Sequence, residues 1–319
     1  MTRAIVDSAG RAVTVPARPT RVYPTGNPAW AAVWCVAPDR VAGWHAPMPS
    51  VEPSHMPKEI AELPVLERLS GQNLDFATAA VRDVRPDLIV DYGTCDPPFV
   101  ATAERLQEAT GVPVVMIDGH LPNTATACAL LGKVLNAGER AAKLGAAFTR
   151  IWSGIAGRLP ARAGPRVYYA IGGDGCRTVR RDSIHVESLA MLGAINVAEV
   201  PSGPGGRVRV SIDDIGRWNP DLVITIDAAF HNAARGLPGW SDLPAVRAGR
   251  IHLAPSAFLS WFDYPPSLNR VIGLPWLATQ FYPDIFTDDL ADEVRAFYDL
   301  FYGITLNEAE ARHLLNDAA

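Results

Sequence analysis

The run Leu88-Ile89-Val90 is short, wholly apolar and partly β-branched. Arg85-Pro86-Asp87 precedes it and Asp91-Tyr92-Gly93 follows it. Such a run between turn residues is the pattern of a strand buried on both faces. The phrase returns as Asn219-Pro220-Asp221-Leu222-Val223-Ile224, and the two prolines stand 134 positions apart. The upstream residues repeat as well, with Leu74-Asp75-Phe76 before the first copy and Val210-Ser211-Ile212-Asp213-Asp214-Ile215 before the second. One helix-turn-strand unit therefore occurs twice, one domain's length apart.

The rest of the pattern fits around this duplication. Residues 4–6 and 12–15 flank a Gly-containing turn and read as a hairpin. Strands are expected at 21–23, 39–44, 88–90 and 112–117, with helices at 29–36 and 100–110. Residues 46–70 read as irregular surface with a short helix. From 123 to 158 there is no proline, and apolar residues recur at helical spacing from Leu130 to Ile155. This predicts one long helix with a break near Asn136-Ala137-Gly138. The second half repeats the order, with strands at 166–171, 195–198, 222–226 and 249–254 and closing helices at 266–282, 289–302 and 308–315. Alternating strands and helices with short connections predict parallel sheets with right-handed crossovers. The expected fold is α/β, with a lobe at 1–122, a connecting helix at 123–159 and a second lobe at 160–319. Ligands of such sheets sit beyond the carboxyl ends of the strands. In the first half those loops are 25–30, 44–48, 91–98 and 118–121.

Composition narrows the function. The chain has 319 residues, 48% of them hydrophobic and 20% charged, with a net charge of −5. That charge argues against nucleic acid as the main partner. Lysine occurs only at Lys58, Lys133 and Lys143, so arginine supplies nearly all positive charge. Cys35, Cys95, Cys128 and Cys176 form no Cys-x-x-Cys pair, and buried free thiols are expected. No apolar run reaches the ~18 residues of a membrane span. Met1-Thr2-Arg3 leads directly into a strand, as in a cytoplasmic chain or a mature exported one.

The nucleotide-binding, zinc-hydrolase and serine-hydrolase motifs are missing. Gly172-Gly173-Asp174-Gly175 follows a strand but lacks the spacing of a phosphate loop. His45, His120 and His231 fall in loops at strand ends. A bare transition metal needs three or four such donors converging. The densest aromatic cluster, Trp261-Phe262-Asp263-Tyr264-Pro265-Pro266, follows the last strand and suits a flat ligand or a hydrophobic plug. Arg270 lies one helical turn beyond it, where an anion or a structural ion pair would use it. Arg177, Arg180, Arg181, Arg207 and Arg209 place more guanidinium in the loops of the second half.

These motifs, in this order, resemble the class III substrate-binding proteins of bacterial ABC importers. The resemblance runs through Gly10-Arg11-x-Val13-x-Val15-Pro16, Asp39-Arg40-Val41-x-Gly43 and Gly111-Val112-Pro113-Val114. It continues in Glu187-x-Leu189-x-x-Leu192-Gly193-Ala194-x-Asn196-Val197 and Trp240-x-x-Leu243-x-Ala245-Val246-x-x-Gly249-Arg250, and covers nearly the whole chain. Trp261-Phe262-Asp263 with Pro266 and Arg270 looks like the Trp-containing segment of vitamin-B12-type members. The resemblance implies two Rossmann-like lobes joined by one long interdomain helix, with a ligand cleft between the lobes. It implies no catalysis and no resident cofactor, and a monomer that captures a metal chelate (iron–siderophore, haem or cobalamin-like) and passes it to a membrane permease. Asn27, Trp30, Trp44, His45, Tyr92, Arg177, Arg207, His231, Trp261, Phe262, Tyr264 and Arg270 are the expected ligand contacts. Glu104 and Glu187 are the expected permease contacts. The expected location is periplasmic or membrane-anchored outside the cytoplasm, in a chain shown here without its signal peptide. The alternatives are a binder of an oxyanion such as molybdate, of nickel–histidine or of a free metal ion, and, in another class, a two-lobed nucleotide-sugar transferase.

Overall fold

The computed structural model describes residues 1–45, 62–69, 74–201, 206–256 and 258–316. The expected irregular stretch at 46–70 and the loop residues 46–48 lie mostly outside them. The chain divides into two compact units. The first comprises 1–150, 264–269 and 296–305, and the second 151–263, 270–295 and 306–319.

The first unit opens with an antiparallel hairpin, β1 (Thr2–Val6) and β2 (Ala12–Pro16). Its sheet is parallel, with β3 (Val22–Pro24), β4 (Leu88–Gly93) and β5 (Val114–Asp118) in that order. Val41 adds a single parallel bridge on the far side of β3, so the strand expected at 39–44 is reduced to isolated bridges at Val41 and Trp44. Helices α1 (Asn27–Val36), α2 (Leu74–Val84) and α3 (Pro97–Thr110) accompany this sheet. Tyr23, Ile89, Val114 and Met116 pack with Ala77, Val81, Ala103 and Leu106 to make its core.

The helical stretch beyond β5 is two helices, α4 (Thr124–Leu135) and α5 (Gly138–Ala156). Asn136 takes a left-handed conformation (φ 52°) between them, as its short polar side chain allows. The boundary between the units falls within α5.

In the second unit the parallel sheet runs β8 (Ile195–Asn196), β6 (Arg166–Ala170), β10 (Leu222–Thr225), β11 (Ile251–Leu253). A separate antiparallel ribbon pairs β7 (Arg177–Val179) with β9 (Arg207–Arg209). The helices are α6 (Glu187–Met191), α7 (Ile212–Trp218), α8 (Ala228–Ala233), α9 (Pro244–Arg247), α10 (Arg270–Phe281), α11 (Ala291–Phe297) and α12 (Glu308–Asn316). A π-helical turn, Tyr298–Tyr302, follows α11. Counting the Val41 bridge as a strand, both units order their strands 2-1-3-4 by sequence.

The duplicated phrase does the same physical work in both units. Arg85 (φ 50°) and Asn219 (φ 43°) end their helices in the left-handed region, and the following proline blocks continuation. The aspartate then pins the strand to its neighbour. Asp87 accepts from the Thr20 amide at 2.7 Å and the Arg21 amide at 3.1 Å, and its own amide donates to the Arg21 carbonyl. Asp221 accepts from the Arg166 amide at 2.8 Å and donates back to the Arg166 carbonyl at 2.7 Å.

All four cysteines are free thiols, with Cys35 and Cys128 buried and Cys95 and Cys176 half-buried. Among the described residues no helix is long and apolar enough to cross a membrane.

Candidate functional site

At the carboxyl ends of β3 and β4 in the first unit, the Thr25 hydroxyl donates to Asp91. Burial raises the Asp91 carboxyl above its ordinary range, against the pull of that bond, the Tyr92 amide and the nearby arginines. At the end of β5, Asp118 accepts from the His120 amide at 3.0 Å, His120 Nδ1 at 2.6 Å and Asn123 Nδ2 at 2.8 Å. Burial alone would raise the Asp118 carboxyl, but these donors outweigh it and hold it low. Asn27 sits half-buried at the start of α1, and His45 stands beside Tyr23 with Nε2 2.6 Å from the Pro24 carbonyl.

Three expected ligand contacts of this unit are core residues instead. Trp30 and Trp44 are buried, with ring centroids 4.6 Å apart, and Trp34 completes the cluster at 5.5 and 5.6 Å. Tyr92 is buried against Gly119, where an added Cβ would come within 2.7 Å of its ring. Indoles packed against one another fill a core and offer little surface to a ligand. Tyr264, by contrast, is 51% exposed.

The second unit departs further from expectation. Trp261 and Phe262 are fully buried, and Phe262 packs edge-on against Tyr169 at 4.7 Å. Arg270 is 1% exposed; it donates to the Ile184 carbonyl and lies 3.4 Å from Glu187. Its charge therefore serves an internal pair and not an anion in solution. Glu187 is corrected with it, because a carboxylate paired to a buried guanidinium is not a free docking acid. Of the two acids, Glu104 on α3 is the exposed one.

What these residues support is a hydrogen-bonded chain that sequence reasoning missed. Asp263 is fully buried and accepts from the Tyr169 hydroxyl at 2.9 Å through Oδ2. Its Oδ1 lies 2.7 Å from His185 Nδ1. His185 and Asp263 are 78 positions apart, and nothing in the sequence couples them. The only trace is that each belongs to a segment whose pattern draws attention to another residue.

Arg177 and Arg207 lie on the β7–β9 ribbon, where Arg177 faces Arg209 and Val179 faces Arg207. Arg177 is exposed and Arg207 half-buried, and Arg209 pairs with Asp174 at 2.7 Å. His231 lies on α8, with Nε2 3.3 Å from the Ile251 carbonyl. Asp227 caps that helix by accepting from the Phe230 amide.

Two histidines give the protein an acid-sensitive stability. Burial lowers His45 from 6.5 to about 4. Burial, with Arg250 and His231 nearby, lowers His252 from 6.5 to about 4. Both are neutral in the fold and protonate more readily when unfolded. Their stabilisation is complete above pH 6.5 and is lost as pH falls from there towards 4. Each contributes at most about 3 kcal/mol. Asp91, raised in the fold, works in the opposite direction. Replacing both histidines with Gln should flatten the fall in melting temperature between pH 6.5 and 4, and an unchanged slope would contradict this origin.

No family model matches the sequence. An uncharacterized ABC transporter substrate-binding lipoprotein of Bacillus subtilis is 27% identical over 117 residues, which is 35% of this chain and 33% of that protein. An ABC transporter solute binding protein from Sulfurospirillum deleyianum superposes with a TM-score of 0.86 at 25% identity, over 98% of this chain and 99% of that one. The Haemophilus influenzae molybdate-binding protein MolA, solved with molybdate bound, gives a TM-score of 0.76 at 20% identity, covering 96% and 99%. At that identity the second superposition speaks to fold alone.

Proposed function

We propose, for a chain that belongs to the solute-binding proteins of ABC transporters, that it captures a metal chelate outside the cytoplasm and delivers it to a membrane permease. The relatives reported above bear the names of solute- or substrate-binding proteins, which supports binding and release as the activity. The observation that carries the ligand class is a histidine held by a carboxylate in each unit. Among the described residues no group of three or more His, Cys, Asp or Glu is placed to hold a metal ion. Among the described residues the first unit holds His120 on Asp118 and the second holds His185 on Asp263. A bare ion needs several converging donors. A metal that arrives already chelated needs only one or two. The metal is cargo and not a resident cofactor.

A second reading, an oxyanion, is favoured by the guanidinium groups of Arg177, Arg207 and Arg209 on one ribbon and by the molybdate bound to the similar H. influenzae protein. Permease docking is assigned to Glu104, the exposed one of the two acids.

A melting-temperature screen against ferric siderophores, haem, cobalamins, nickel–histidine and molybdate tests the reading. A ligand at a hundred times its Kd stabilises by about 2.7 kcal/mol, which gives a clear upward shift. A shift with one of the chelates is expected. A shift with molybdate alone, lost in Arg177→Ala, would replace the chelate with an oxyanion.

A further inference from the structure

We propose that His185 is a metal-contacting group of the second unit, offering Nε2 to an open coordination position of the bound chelate. Asp263 and Tyr169 are its positioning residues. The proposal deepens the chelate reading and rests on it.

The ring is fixed on its Nδ1 side. Asp263 Oδ1 lies 2.7 Å from Nδ1, and the other oxygen, Oδ2, accepts from the Tyr169 hydroxyl at 2.9 Å. A carboxylate has no proton to donate, so Nδ1 carries the hydrogen, and the neutral ring has its lone pair at Nε2. This is the arrangement by which a carboxylate orients a metal-binding imidazole and raises its basicity.

The backbone is fixed as well. Arg270 donates to the carbonyl of Ile184, the residue just before His185. The Ser183 hydroxyl accepts from the His185 amide at 3.4 Å. On the opposite side the Ser260 hydroxyl accepts from the Phe262 and Asp263 amides at 3.3 and 3.4 Å. The buried part of the aromatic segment, through Asp263, therefore builds the platform under His185.

The histidine still reaches solvent. Asp263 is wholly buried, but the His185 side chain is 22% exposed. Among the described residues Nε2 takes no hydrogen bond, so the ordered ring ends in an unused donor atom.

The test uses the full chain and Cu(II)–iminodiacetate, a chelate that leaves coordination positions open. Electron paramagnetic resonance reports imidazole nitrogen on the copper, and titration gives the affinity. Wild type should bind one equivalent in its tightest class with a nitrogen signature. His185→Gln should abolish that class. Asp263→Asn leaves the imidazole in place but removes the carboxylate charge and one of its two acceptor oxygens, and should weaken binding about tenfold or more. Tyr169→Phe, which keeps the ring packing, should weaken it in the same direction. His313→Gln, exposed on α12, should change nothing. If His185→Gln keeps the affinity and the nitrogen signature, and the variants differ only in melting temperature, the dyad is structural and the proposal fails. Failure of the chelate reading looks different: wild type would then bind Cu(II)–iminodiacetate through His185 while no biological chelate shifts its melting temperature.

Discussion

Arg270→Ala is expected to destabilise the protein by about 3–5 kcal/mol, the cost of removing one member of a buried ion pair. The guanidinium is 1% exposed, lies 3.4 Å from Glu187 and donates to the Ile184 carbonyl. Truncation leaves a half-buried carbonyl without its donor, a half-buried carboxylate without its counter-charge, and a void. Denaturant unfolding followed by a probe of the second unit measures the loss. Arg270→Met restores much of the volume but not the charge, and should recover only part of it. Adding Glu187→Gln to Arg270→Met should recover more, because the uncompensated charge is then gone. If Arg270→Ala unfolds like wild type and only ligand binding suffers, the arginine faces the ligand after all.

Gly273→Ala is the second large effect. A Cβ at this position in α10 would lie 1.8 Å from the Trp261 carbonyl oxygen and 2.8 Å from its carbonyl carbon. These are backbone atoms of a segment whose neighbouring rings are fully buried, so no flexible side chain can yield. The helix or the Trp261 segment must shift. The expected cost is at the top of the usual overpacking range, about 3 kcal/mol or more. Gly154 in α5 provides the contrast. A methyl group added there would meet nothing within 4 Å, and the residue sits exposed on the helix. Gly154→Ala should stabilise by up to about 1 kcal/mol through helix propensity. Parallel thermal melts of the two variants check both signs, and a Gly273→Ala protein as stable as wild type would contradict the packing described.

The difference between what the sequence disclosed and what it hid is physical. The repeated Pro-Asp-apolar phrase is legible because its roles are local. A left-handed helix end, a proline stop and an aspartate on the neighbouring strand act within a few residues or across one ladder. Burial of Leu88 to Val90 and Leu222 to Ile224 follows directly from their composition. The break at Asn136 is legible for the same reason. The site is not. Trp30, Trp44, Trp261 and Phe262 read as ligand surface because aromatic residues near strand ends serve either purpose, and only packing decides which. Arg270 looks available in the sequence because its partner lies 83 positions away. His185 draws no attention in the sequence, since its value depends on Asp263 and Tyr169, brought to it by the fold.

The protein is proposed to bind a preassembled metal chelate and to release it unchanged. The direct measurement is equilibrium dialysis of the full chain against the ferric or cobalt chelate that shifts its melting temperature, with metal and chelator quantified separately in the retained fraction. One equivalent of each, with the chelator recovered intact after denaturation, is the expected result. Retention of metal without chelator, or recovery of a chemically altered chelator, would contradict it.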